Sequence, residues 1–310
     1  MTLLNLTAVR LHSPGLPSPT QRGCNRTNLF FVSPKITLAK SRGYIKQHTW
    51  SSAVGNTKLG LPLEYQRHPE FFDAFSNNGH AAATNTVVEK LLRKQKVHTV
   101  LDMTCGTGSQ VWHLAKHGYK VTGADFSPAL LRIARAKACI EKTPVEFIDG
   151  DMRTLQVGAF DAVITIANAV GHLTKAGFEK SLRNIGRNLK PGGVYIFDIF
   201  NLDALTDTVV ADFAMHWCRK SGNTQCHNVQ CSVINRQQGR LTSYDHYVFQ
   251  KGAREPQTLK SRFSLQLYTA KELRSMLARN GFDTLMQCGL DGSRFVSGQT
   301  TSILTVARRC

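Results

Sequence analysis

The stretch Val97-His98-Thr99-Val100-Leu101-Asp102-Met103-Thr104-Cys105-Gly106-Thr107-Gly108 constrains this chain more than any other. An apolar segment runs into a turn of small residues that opens a helix. A second apolar run then ends at Asp125, 23 residues after Asp102. A buried parallel strand that enters a helix needs small residues where the backbone bends. A carboxylate at the end of the next strand is placed to hold two ribose hydroxyls.

Two common nucleotide sites do not fit. A dinucleotide fingerprint starting at Gly106 requires glycine at 111, where Val111 stands, so the helix cannot close over a pyrophosphate in that way. No G-x-x-x-x-G-K-[ST] loop is present to cradle a triphosphate. What remains is three carboxylate-bearing turns: Asp102 with its glycines, Asp125-Phe126-Ser127, and Asp149-Gly150-Asp151-Met152. They suit a ligand with hydroxyls and an amine and no phosphate.

At these residues, and over roughly residues 65 to 308, the chain resembles the class I S-adenosylmethionine-dependent methyltransferases. The resemblance implies that Asp102, Gly106 and Gly108 lie beside the methionine moiety and that Asp125 binds the ribose. It also implies that Asp151 contacts the adenine amine, with Met152 flanking the ring. Thr104 stands where that family often has its first glycine; Phe126, Ser127 and Ala167 complete the expected cofactor set. The implied cofactor is S-adenosyl-L-methionine.

The remaining pattern predicts a doubly wound, seven-stranded, mostly parallel α/β sheet with a Rossmann-like order of elements. Strands are expected at 97–103, 119–125, 145–148, 160–166 and 194–198, alternating with helices at 109–118, 128–138 and 178–189. Ser127-Pro128 reads as an N-cap followed by proline at the first helical position. Lys190-Pro191-Gly192-Gly193 ends the helix before the fifth strand. Beyond residue 200 the rhythm changes. Alternating β-prone pieces around Gln237-Gln238-Gly239-Arg240 predict an antiparallel hairpin arm within an insertion at about 215–268. A helix capped by Thr269 and strands at 282–287 and 301–307 complete a core sheet spanning 97–200 and 269–308.

Residues 1–63 carry eight Lys or Arg and no acid, Glu64 being the first acidic residue. They are expected to be a basic extension, disordered or targeting, ahead of a domain at 64–310. A cytoplasmic location is the expectation, with the mitochondrial matrix or a plastid as the alternative if the extension is a transit peptide. It also supplies eight of the +18 formal charges, so the dispersed remainder reads as solvated helix faces. A nucleic-acid partner is possible on that charge and not favoured. No apolar run approaches a membrane span, so the folded part is expected to be soluble with no membrane partner. Eight cysteines without C-x-x-C spacing suggest neither a metal site nor a disulfide framework.

Candidate catalytic residues follow the fourth strand, in Asn168-Ala169-Val170-Gly171-His172-Leu173. This resembles the Asn-x-x-x-His-Leu of glycine and sarcosine N-methyltransferases and puts Asn168 and His172 four apart on one turn. The alternative is that Asn168 caps the turn and His172 is an ordinary half-buried histidine. Ahead of the first strand, Phe71, Phe72 and Phe75 form a stripe at helical spacing, read as core packing or as a lid; Tyr65 adds a polar tip. On the arm, strand alternation puts Tyr244 and His246 on one face and Tyr247 on the other. Tyr244 is taken as the candidate. The expected activity is methyl transfer to a small-molecule acceptor such as an amine. An RNA or protein methyltransferase and a noncatalytic S-adenosylmethionine-binding module are the alternatives.

Overall fold

The computed structural model describes residues 59, 61–76, 79–141, 144–212 and 215–310. The chain divides at Asn56 into two units, of which the second, from Thr57 onward, is described below. The expected content of the extension up to residue 58 lies outside the described residues.

A short 3₁₀ turn, Leu63–Tyr65, leads to helices α1 (Pro69–Ser76) and α2 (Gly79–Lys94). The core then alternates: β1 (Thr99–Asp102), α3 (Ser109–Lys116), β2 (Lys120–Asp125), α4 (Pro128–Glu141), β3 (Glu146–Asp149), β4 (Phe160–Thr165), α5 (Lys175–Asn188) and β5 (Leu189–Phe200). After α6 (Asp207–Asp212) come β6 (Met215–Ser221), β7 (Thr224–Asn235), β8 (Arg240–Lys251) and β9 (Gln257–Gln266). Helix α7 (Ala270–Arg279) and strands β10 (Phe282–Cys288) and β11 (Ser302–Arg309) close the chain.

The seven-stranded sheet has the order β10-β11-β5-β4-β1-β2-β3. Strands β1 to β5 pair in parallel, and β11 runs antiparallel to both β5 and β10. The chain leaves β1 toward β2 on one side and reaches β4 on the other. The crevice at their carboxyl ends is therefore the topological switch point where open α/β sheets take ligands.

Both faces are covered because successive side chains alternate across the sheet. Val100 and Ile164 pack with α2 and α3 through Val88, Leu92 and Leu114, while Leu101 and Val163 join Phe178, Leu182 and Leu273 on the other face. Each such fully buried aliphatic side chain contributes about 1.5–3 kcal/mol. Thr269 caps α7, its hydroxyl accepting from the Glu272 N–H, and Ser127 Oγ accepts from the Leu130 N–H at the start of α4.

The arm is larger than the hairpin read from the sequence. Strands β6 to β9 form a four-stranded antiparallel sheet of their own. Strand β6, Met-His-Trp-Cys-Arg-Lys-Ser, has a mostly polar composition that hides its β character, yet its full length pairs with β7. Pairing with an already formed partner overrides weak intrinsic propensity.

Candidate active site

The turn after β1 is built by backbone conformations that side chains resist. Gly106 and Gly108 have φ of 54° and 91°, the left-handed region that glycine enters without cost. A Cβ at Gly106 would also lie 3.0 Å from the Phe72 ring. Asp102 Oδ1 accepts the Thr104 N–H at 3.1 Å, and Asp125 Oδ2 accepts the Gly106 N–H at 2.9 Å. Asp125 Oδ1 takes the Ser127 N–H at 2.8 Å. Each Asp125 oxygen thus keeps a lone pair open.

This turn borders a cavity of about 420 Å³ at the carboxyl ends of β1, β2 and β4. Seven of the expected cofactor residues line it: Thr104, Gly106, Asp125, Phe126, Asp151, Met152 and Ala167. Three do not. Asp102, Gly108 and Ser127 stand behind the wall as builders: Asp102 shapes the turn, Gly108 starts α3, and Ser127 caps α4 while donating to the Tyr65 carbonyl. The structure thus places these three behind the cavity surface, where they shape the turn and the helix starts that form its wall.

Electrostatics at the cavity are dominated by burial. Desolvation pushes Asp102 up to about 7 and Asp125 up to about 6, the backbone N–H groups only partly offsetting it. Asp151 goes the other way, because Arg153 donates to both of its oxygens at 2.9 and 3.0 Å and holds it below the usual carboxylate range. Arg153, Leu130 and Ile166 also line the cavity; no motif marked them in the sequence.

A second cavity, of about 370 Å³, opens between the crevice and the arm sheet. Tyr65, Phe72, Ala167 and His172 line both cavities, so they form the wall between them. The Tyr65 hydroxyl is 3.2 Å from His172 Nε2. His172 Nδ1 is buried and has no partner, and burial pushes the imidazole down to about 4, leaving it neutral at neutral pH. Burial raises the Tyr65 phenol, with the Asp125 charge adding to it.

The backbone of this wall is strained. Ala167 and Asn168 are consecutive left-handed residues, with φ of 64° and 56°. Such conformations cost about 1–3 kcal/mol each and persist only where the surroundings fix them. Asp198 on β5 does so, its Oδ2 accepting the Asn168 N–H at 2.9 Å, and burial raises this carboxyl to about 6. The Asn168 side chain is also engaged, its Oδ1 accepting the Phe200 N–H at 3.1 Å, and it makes no side-chain cap to the following 3₁₀ turn. Asn168 lines the second cavity, but its amide oxygen is spent on positioning the turn.

Tyr244 is not at either cavity. Strand β8 turns Ser243 and Tyr247 inward, and Tyr244, one position away in parity, takes the other face. The structure therefore does not bring Tyr244 to the cavities lined by Tyr65, Asn168 and His172. Tyr247 instead donates to Glu64 Oε2 at 2.9 Å. Among the Phe stripe, Phe71 is core and Phe72 lines both cavities. The Phe75 side chain lies outside the described residues. Leu59, Leu61 and Pro62, on the extension side of the boundary read from the sequence, also line these cavities.

Comparison with known proteins gives three kinds of match. Residues 100–193 match the family model described as Methyltransferase domain. A putative methyltransferase of Geobacillus is 30% identical over 142 residues, 44% of this chain and 58% of that protein. Rat glycine N-methyltransferase is 29% identical over 194 residues, 57% of this chain and 66% of that enzyme. The matches thus span less than two thirds of either relative. In three dimensions, the sugar N-methyltransferase KedS8 of Streptoalloteichus superposes with a TM-score of 0.66 at 21% identity. It covers 83% of this chain and 98% of that one, a likeness of fold.

Proposed function

Since the chain belongs to the class I S-adenosylmethionine-dependent methyltransferase family, we propose that it transfers a methyl group from S-adenosyl-L-methionine to a small-molecule amine. The observation that carries this reading is the pair of cavities divided by Tyr65, Phe72, Ala167 and His172. One cavity has the cofactor-type wall, and the other is bounded on one side by the arm.

The residues of the first cavity fit the cofactor. The open lone pairs of Asp125 suit two ribose hydroxyls. The Thr104 hydroxyl, buried without a partner, is a polar group awaiting a ligand. Phe126 and Met152 offer apolar surface to an adenine ring, and Asp151 offers an acceptor to its amine. S-adenosyl-L-methionine held by these residues would supply an activated methyl group to the nitrogen lone pair, its sulfonium sulfur keeping the electron pair and leaving as the neutral thioether of S-adenosylhomocysteine.

What the chain contributes is alignment and a place for one proton. The second cavity presents the acceptor to the cofactor side, and such positioning supplies a large share of the acceleration in a displacement of this kind. The nitrogen attacks only when neutral, and the methylated product sheds a proton. A neutral His172 hydrogen-bonded to Tyr65 is able to accept a hydrogen bond there and to pass a proton toward the second cavity.

Calorimetric titration with S-adenosyl-L-methionine, with nicotinamide dinucleotides as controls, tests the first half of this reading. Saturable binding of S-adenosyl-L-methionine alone is expected. Formation of S-adenosylhomocysteine on addition of amines, absent with the corresponding alcohols, tests the second. A folded protein that does not bind S-adenosyl-L-methionine overturns the proposal.

A further inference from the structure

The second cavity has a chemical character of its own. Its arm-side wall is the inner face of the four-stranded sheet, where register aligns Trp217 with Asn228, and Gln230 with Asp245. Asp245 is 2% exposed and accepts from Asn228 Nδ2 at 3.0 Å and from Gln230 Nε2 at 2.9 Å. An ionised carboxylate only accepts hydrogen bonds, so it fixes both amides with their NH₂ groups turned toward it. Their carbonyl oxygens are the ends left over. Asn228 lines the cavity, is 1% exposed, and its Oδ1 has no donor.

Glu64, on the opposite wall, adds a carboxylate that is partly satisfied by the Tyr247 hydroxyl. The cation at this cavity, Arg219, donates to the Phe71 carbonyl at 2.9 Å, lies 4.0 Å over the Trp217 ring and also feels the Glu64 carboxylate electrostatically. The Ser232 and Ser243 hydroxyls also line the cavity and bond each other at 2.8 Å, while Glu64 and the amide oxygens of Asn228 and Gln230 are the acceptors offered to a ligand. Between them the walls are apolar, through Trp217, Phe263, Leu241 and Leu265. A cavity of about 370 Å³ has the size of a ligand-binding pocket for a ring-bearing molecule and is far larger than a two-carbon amino acid fills.

We propose that the acceptor is an amphipathic amine whose ring-sized apolar body fills the arm cavity and whose amino group is recognised by Glu64 and the amide oxygens of Asn228 and Gln230. The inference rests on the reading of this cavity as the acceptor site. Glu64 immediately precedes Tyr65, so one turn of chain brings the attracting carboxylate and the hydroxyl of the shared wall to the same cavity.

The test uses the full chain saturated with S-adenosylhomocysteine at neutral pH and titrated with probes of known chemistry. These are 2-phenylethylamine, cyclohexylmethylamine, their alcohol counterparts, phenylacetate, glycine and sarcosine. The two ring-bearing amines are expected to bind about 10-fold or more tightly than the alcohols, as charge-assisted hydrogen bonds imply, and glycine and sarcosine more weakly still. Glu64→Gln is expected to reduce the preference for amine over alcohol to within about twofold while leaving S-adenosylhomocysteine affinity unchanged. Should that variant fail to fold, the wild-type probe series decides by itself, and Asn228→Leu repeats the variant arm. Alcohols or phenylacetate binding as well as the amines, glycine binding most tightly, no probe binding at all, or an undiminished preference in Glu64→Gln overturns the proposal alone. Failure to bind S-adenosylhomocysteine overturns the functional reading and this inference with it.

Discussion

The Tyr65 hydroxyl and His172 Nε2 meet at 3.2 Å across a sequence separation of 107 residues, at the point where the two cavities share a wall. One partner comes from the segment ahead of the core and the other from the turn after β4. The Ser127 hydroxyl binds the Tyr65 carbonyl and the Lys137 ammonium pairs with Asp73, so α4 holds the amino-terminal segment in place from beneath. The contact is thus a consequence of tertiary packing at three sites.

Removing the hydroxyl separates positioning from binding. Tyr65→Phe is expected to lower kcat about 100-fold, the lower end of what a positioned proton-transfer group contributes, with S-adenosyl-L-methionine affinity within about threefold of wild type. Because burial keeps His172 neutral down to about 4, the wild-type kcat profile should show no histidine inflection near 6.5. Initial rates of S-adenosylhomocysteine formation between pH 5.5 and 8.5 check both statements. Equal kcat in the variant would remove Tyr65 from the mechanism.

Cofactor affinity should depend on pH through Asp125. Its folded-state pKa is raised to about 6, so the ligand-free domain holds a proton there that an unfolded chain would have released. The stability this gives is present at acid pH and is lost as pH rises from about 4 toward 6. Ribose hydroxyls donate to the ionised form, so binding must expel the proton. Affinity is therefore expected to fall about 10-fold between pH 7.5 and pH 5, with proton release on binding below pH 6.5. Calorimetry in two buffers of different ionisation enthalpy measures both. Asp125→Ala at pH 7.5 should cost about 1.5–3 kcal/mol of binding.

The parts of the site that were legible in the sequence are those that one local motif encodes. Gly106 and Asp125 stand at fixed offsets from a strand end, and the strand–turn–helix context forces their geometry. Asp102, Gly108 and Ser127 belong to the same motifs, but whether such residues reach the cavity or build the turn behind it depends on packing that spacing does not carry. The second cavity was hidden for a different reason. Trp217, Asn228 and Tyr247 are brought together by antiparallel register, Glu64 joins them from the amino-terminal turn through the Tyr247 hydroxyl, and a single step in parity decides between Tyr244 and Tyr247. Likewise Glu64 marked a change in charge, whereas the compact unit starts earlier, at Thr57, and Leu59 and Leu61 contribute apolar wall to the first cavity.

That boundary makes truncation informative. Deleting residues 1–56 should leave S-adenosyl-L-methionine affinity unchanged within about twofold, because among the described residues those that line the cavities begin at Leu59. Deleting residues 1–66 removes Leu59, Leu61, Glu64 and Tyr65 and is expected to weaken cofactor binding at least about 10-fold, with about 1.4 kcal/mol corresponding to each factor of 10. Circular dichroism distinguishes lost affinity from lost fold. Equal affinity in both truncations would show that these walls contribute nothing to the cofactor.

The strained turn after β4 offers a sharper test, because two of its residues compete for one space. A Cβ on Gly171 would fall 2.7 Å from Asn168 Nδ2 and 2.9 Å from its Oδ1, so Gly171→Ala must push the Asn168 side chain off the Phe200 N–H. Overpacking of this kind costs about 1–3 kcal/mol. Asn168→Gly loses that hydrogen bond but relieves the left-handed backbone at φ 56°, so its net cost should be smaller. In the double variant no side chain remains for the new methyl group to displace. Its destabilisation is expected to fall below the sum of the single effects by at least about 0.5 kcal/mol, the lower bound for contacting residues. Urea midpoints for the four proteins close the cycle. Strict additivity would mean that Asn168 does not occupy the space beside Gly171, and that some other contact holds the turn between the two cavities.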